Sequence, residues 1–233
     1  MQRRKFTSAV LAGLGQGFGF LAWSGQAQAF SLSEGDATAG IRAALERGAV
    51  SAVGLLGKPD GFLSNPKVHI PLPGFLNDAA RFLRATGQQR RVDELETALN
   101  RAAEAAVPEA KTLLVGAVKS MSVEDAKGIL TGGDGSVTQF FSAKTREPLG
   151  VRFLPIVKRA TEKVSLADKY NAVAGKAASF GLLKPQDANI HSYVTEKALD
   201  GLFLMIGEEE HKIRENPVAT GSAILKKVFG SLK

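Results

Sequence analysis

From Ile41 onward, apolar residues recur at three- and four-residue spacing along most of the chain, the signature of amphipathic helices. Ile41, Leu45, Ala49, Ala52, Val53 and Leu56 mark one face of a first helix, which Ser33 and Asp36 open as a capping-box pattern. Gly57-Lys58-Pro59-Asp60-Gly61 stops it. Residues 57–74 form the longest irregular stretch, with Pro59, Pro66, Pro71 and Pro73 and a short alternating piece at Val68-His69-Ile70. A loop of this length in a compact domain is often functional. Its apolar residues Phe62, Leu63, Val68, Ile70 and Leu72 are expected to cover a groove or form a docking patch.

Helices follow in series. The pattern predicts them over 75–86, 89–106, 108–120, 122–131, 136–146, 148–163, 166–179, 194–215 and 218–229. In 89–106 the apolar face is Val92, Leu95, Leu99, Ala102 and Ala106. Pro108 opens the next helix, and Ser122 with Asp125 caps another. The stretch 194–215 is apolar nearly all round, which places it at the centre of the packing. The expectation is an all-α fold: one domain over 30–233, about nine to ten helices around the 194–215 helix, with one long loop at 57–74. No fixed-period repeat and no polar linker divides it.

The first 29 residues have a different character. Arg3, Arg4 and Lys5 precede an apolar, Gly-rich run and then Ala27-Gln28-Ala29, the pattern of a cleaved export signal, with cleavage before Phe30. Gln2-Arg3-Arg4-Lys5-Phe6 is similar to the twin-arginine export motif, although Gln2 departs from it; a general secretory signal is the alternative. The expected location is the bacterial periplasm. Three positive charges of the formal net +7 lie in this segment, so the rest of the chain is only mildly basic and carries no sign of a nucleic-acid partner. With 44% hydrophobic and 23% charged residues the chain has globular composition. The absence of cysteine excludes disulfides, thiolate metal sites and a catalytic thiol. No later apolar run is long enough to span a membrane.

Candidate chemistry is sparse. Thr131-Gly132-Gly133-Asp134-Gly135-Ser136 is a Gly-rich turn between helices whose amides suit an anion. Asp134 would repel phosphate, and no P-loop lysine follows. The simpler reading is a helix C-cap at Gly132 and Gly133, then an N-cap at Asp134 or Ser136. Asp200 lies within an apolar helix and is expected to be partly buried, as a pocket floor or in an ion pair with Arg101, Arg152 or Lys176. Glu196, Asp200, Glu208 and His211 share a stripe, but a Glu-x-x-His metal pair needs a second such motif and there is none. Asn100, Arg101 and Glu104, with Glu96, lie on the polar side of their helix, either lining a groove or solvated. Tyr170, Asn171 and Lys176 pose the same choice. The binding candidates are therefore Asp200, Asn100, Arg101, Glu104, Asp134, Tyr170 and Lys176; no catalytic residue, metal ligand or cofactor is predicted.

The segments GKPDGFLSNPKVHIPLPG, NRAAEAAVP, ILTGGDGSVTQFF, RFLPIVKRAT, YNAVAGKAASFGL and YVTEKALDGLFLMIGEEEHKIRENPVATGSAILKKVFG resemble domain-of-unknown-function family 4197. That resemblance spans nearly all of the chain after residue 30. It implies an exported bacterial protein of one helical domain, and it implies no activity and no catalytic residue. The best functional reading is a periplasmic, non-enzymatic binding or interaction protein, its partner an envelope protein or a small ligand. The alternatives are an enzyme or cofactor carrier using buried carboxylates, and a structural or assembly factor of the envelope.

Overall fold

The protein is described by a computed structural model over residues 34–162, 164–179, 181 and 189–216. The chain divides into two compact units, Met1–Ser31 and Leu32–Lys233, and every described residue belongs to the second. The expected export signal, the Ser33 cap and the helix expected at 218–229 lie outside the described residues.

The described residues fold into eight α-helices and one 3-10 turn, with no strand. These are α1 (Glu34–Leu56), α2 (Gly74–Ala85), α3 (Gln89–Ala106), a 3-10 turn (Val107–Glu109), α4 (Ala110–Lys119), α5 (Val123–Thr131), α6 (Ser136–Thr161), α7 (Ser165–Ser179) and α8 (Ile190–Glu215). The apolar faces expected for α1 and α3 are all buried. The capping box of α5 forms as its sequence predicts: Ser122 Oγ accepts from the Asp125 amide at 3.0 Å, and Asp125 Oδ2 accepts from the Ser122 amide at 3.0 Å.

The count of nine to ten helices is corrected in part by α6, which runs unbroken where two helices were expected. Pro148 and Pro155 lie inside it. Each removes one helical N–H, freeing the carbonyl four residues earlier, at Lys144 and Val151. All four of these residues are exposed, so water can bond the freed carbonyls and the helix continues. Its buried positions are Phe140 and a line of Val137, Phe141, Thr145, Leu149, Phe153, Val157 and Thr161, each in the line four residues after the last. At 3.6 residues per turn that line advances about 40° per step and winds round the helix. Different stretches of α6 are therefore buried by different neighbours, among them α3, α4, α5 and α8. Thr145 and Thr161 sit in this line because their hydroxyls donate back to the Phe141 (2.6 Å) and Val157 (2.9 Å) carbonyls.

Helix α8 is central, as expected, and packs on α1, α3 and α6. It begins at Ile190, four residues earlier than the apolar pattern indicates. Asn189 caps it, Oδ1 accepting from the His191 (2.8 Å) and Ser192 (3.4 Å) amides. Asn171 of α7 accepts from the Ile190 amide at 2.8 Å and satisfies one more free donor. Helices α6 and α8 run antiparallel: Thr138 and Ser136 face Gly207 and Glu210, while Arg146 faces Glu196 and Asp200.

Candidate functional site

Asn100 and Glu104 are buried and Arg101 is partly exposed, and all three hold the 57–73 loop to α3. Asn100 is fully buried. Its Oδ1 accepts from the Ile70 amide and its Nδ2 donates to the Ile70 carbonyl, both at 2.9 Å, with a second contact to the Glu96 carbonyl. The short extended piece expected at 68–70 does not form: the Val68 and His69 amides donate to the Asn65 carbonyl in a turn, and one side-chain amide satisfies both backbone groups of Ile70 just after it. Glu104, 5% exposed, accepts the Phe62 and Leu63 amides on Oε1 at 3.0 and 3.1 Å. Its Oε2 accepts from Arg101 Nη1 at 2.7 Å, and Arg101 Nη2 donates to Asp60 Oδ1 at 2.9 Å. The hydrogen bond to Glu104 leads in raising the Arg101 pKa above its ordinary value. Asp60 needs that hold, because it adopts a left-handed φ of 67°.

The loop's apolar residues are core rather than a docking patch. Phe62, Val68, Ile70 and Leu72 are buried, and only Leu63 is half-buried. Phe62 and Val68 press on Gly201 of α8, where a Cβ would lie 2.8 Å from the Phe62 ring and 3.2 Å from Val68 Cβ. Tyr193 Oη donates to the Pro71 carbonyl at 3.0 Å and ties the loop to α8 as well.

The Gly-rich turn is likewise filled from within. Gly135, with φ 87°, is the N-cap of α6 and has no side chain to cap with, contrary to the expectation of Asp134 or Ser136. Glu210 of α8 supplies the carboxylate instead, its Oε1 3.3 Å from the Val137 amide. Arg214 Nη2 bonds Glu210 Oε1, Ser136 Oγ and the Ile129 carbonyl, each at 2.8 Å. The anion position at this helix start is therefore taken by the chain's own carboxylate. Asp134 is 69% exposed, with His211 Nδ1 3.4 Å away and Arg214 Nε 3.8 Å away.

Asp200 is not partly buried: its side chain is 52% exposed. It lies on the outward stripe of α8, and its partner is Arg146 of α6 rather than Arg101 or Arg152. Arg146 Nη2 donates to Asp200 Oδ1 and Glu196 Oε2, both at 2.7 Å. Partial burial works against the Arg146 charge, but these two bonds outweigh it and raise its pKa. Glu208, next on the stripe, pairs with Lys67 Nζ at 2.6 Å, a bond that holds its carboxyl below the ordinary range. Tyr170 is buried in the core, and the Lys176 side chain lies outside the described residues. Among the described residues no three His, Asp or Glu side chains are grouped to hold a metal.

What remains as a site is a groove between α6 and α8. It is open to solvent, has a volume of about 570 Å³, and small residues, Ser142, Ala143, Gly150 and Ser192, are among its lining. Val151, 72% exposed, and Leu154, 41% exposed, form an apolar ridge along it. Arg146, Glu147 and Glu196 line its polar part. Thr195 also lines it, and its buried hydroxyl has no hydrogen-bond partner among the described residues. The charges show nothing of the ridge; it comes from two apolar residues, three apart, that the helical period turns outward. A second cleft, about 430 Å³, lies between the loop and α8, with Lys67, His69, Lys197 and Asp200 among its lining.

His191, at the start of α8, is the described histidine with a shifted pKa. Burial pushes it below the ordinary 6.5, and Lys158 adds to that, while Asp168 and Glu162 oppose it. Between the folded and unfolded pKa values the unfolded chain holds more proton, so stability falls as pH drops from about 6.5. Urea unfolding followed between pH 7 and 5 is expected to show that slope, and His191→Gln to flatten it. An unchanged slope in the variant would remove His191 as its source.

The fold and groove define a class: an all-α protein whose central antiparallel helix pair carries an open apolar groove. Residues 31–230 match the family described as protein of unknown function (DUF4197), and the chain belongs to it. No curated protein and no solved structure matches the chain.

Proposed function

We propose that this protein is an exported, non-enzymatic binding or interaction protein of the periplasm, and that the α6–α8 groove is its contact surface. The observation that carries the reading is the pair of exposed apolar residues, Val151 and Leu154, that line the groove beside small residues. Its volume lies in the range of ligand-sized sites. The export signal expected at 1–29 supports the location. The alternative of an enzyme using buried carboxylates calls for carboxyls whose pKa burial has raised. The described carboxyls that shift, Glu124, Asp125 and Glu208, are all lowered, by helix caps or by Lys67. Native mass spectrometry of the protein, purified gently from its own periplasm, tests the proposal. A bound mass lost on denaturation, and absent from Val151→Asp, is the expected result. A bare protein, with nothing captured by a photo-crosslinker at position 151 in situ, would overturn it.

A further inference from the structure

Resting on that reading of the contact surface, we infer that its partner is a second copy of this chain, α6 pairing antiparallel with α6 of the other copy.

One exposed stripe of α6 is complementary to itself. Glu147, Val151, Leu154 and Lys158 follow one another at four, three and four residues, the spacing that keeps a helix face turned toward a partner helix. All four are exposed, Val151 the most at 72%. Neither the Glu147 carboxylate nor the Lys158 ammonium has an ion-pair partner among the described residues. Along the stripe the order is negative, apolar, apolar, positive. Two copies laid antiparallel therefore set Glu147 against Lys158 of the other copy and Val151 against its Leu154, each twice. Both pairs share one midpoint, between Arg152 and Phe153, so a single two-fold axis satisfies them together. Parallel pairing would set each charge against its own twin. The contact from Glu147 to Lys158 is about 17 Å long, three helical turns. Glu147, Val151 and Leu154 also line the groove, so the pairing covers its α6 edge.

The other charges nearby fit this arrangement. Arg146 is held by Glu196 and Asp200 of its own chain, both at 2.7 Å. Lys144 lies one turn before Glu147 and Glu162 one turn after Lys158. They are opposite in sign and share nearly the same midpoint, so they too attract across the axis, although Asp125 lies 3.4 Å from Lys144. Arg152 and Arg159 sit about a third of a turn round α6 from the stripe, off the pairing face. Lys197 of α8 stands over the Tyr193 ring and lines the loop cleft instead. A single three-turn helix pair buries less than the roughly 1,200–2,000 Å² of a stable complex, so the dimer is expected to be weak and concentration-dependent.

Sedimentation velocity of the exported chain from about 1 to 500 μM tests this, with monomer giving way to dimer as concentration rises. Native mass spectrometry should then show a bound mass equal to one more copy. Glu147→Lys and Lys158→Glu each oppose like charges across the axis, and each should weaken association about tenfold or more. Mixed together, the two variants should pair with each other, because each carries the charge the other lacks. The double variant should recover most of the parent association. Both positions are exposed, so the variants keep the fold; circular dichroism checks this. A chain that stays monomeric, single variants that associate like the parent, or failure of both the mixture and the double variant to recover would each overturn the inference. A monomer whose position 151 still captures a different protein in situ would reject self-pairing and keep the groove as a contact surface. A monomer that captures nothing would reject both.

Discussion

Asn100→Leu should destabilise the protein by about 4 kcal/mol, because it leaves the Ile70 amide and carbonyl buried without partners, at roughly 1–3 kcal/mol each. Leucine is close in shape and restores apolar contact, so the loss isolates the hydrogen bonds from the packing. Urea unfolding followed by circular dichroism measures it. Amide exchange should locate it, with protection at Ile70 falling further than protection at Leu99, the neighbour of Asn100 within α3. A variant within about 1 kcal/mol of the parent would mean that water replaces the side chain at Ile70, and that the loop is not held by α3 in the way described.

Phe62→Ala should cost about 3–5 kcal/mol, the range for removing a fully buried aromatic ring. The ring fills the space over Gly201, a helix position with no side chain of its own to fill the void. The pair Phe62→Ala with Gly201→Ala is informative. Gly201→Ala alone forces the ring aside and destabilises the protein; on the Phe62→Ala background the added methyl enters the cavity and recovers part of the loss. Double-mutant unfolding curves that add without interaction would show that the two residues are not packed as described.

Much of the fold is legible in the sequence because burial follows helical period. Ile41 through Leu56 and Val92 through Ala106 could be placed on their buried faces from spacing alone. Helix α6 could not, since its buried residues wind around the axis and its two prolines look like stops. Their tolerance depends on which carbonyls they free, and that is known only once exposure is known. The candidate site was less legible. Asn100, Arg101 and Glu104 stand out as the polar side of their helix, but their task, holding a loop 30 to 42 residues away, has no local signature. Asp200 looks internal in a run of apolar residues, yet the four-residue spacing Glu196, Asp200, Glu208 marks it as outward, and Leu204 in the same register is exposed with them. Nothing near Gly135 in sequence announces that its helix is capped by Glu210.

The bond from Tyr193 to Pro71 spans 122 residues of chain. Synthesis runs from the N-terminus, so Phe62 and Val68 leave the ribosome long before the helix that covers them exists. At 5–20 residues per second the delay is about 7–30 s. During that time the most apolar part of the loop faces water or whatever protects a nascent chain. The core is sealed by the last of the described helices to be made, and a chain ending before α8 is left with an open apolar surface and no means of closing it.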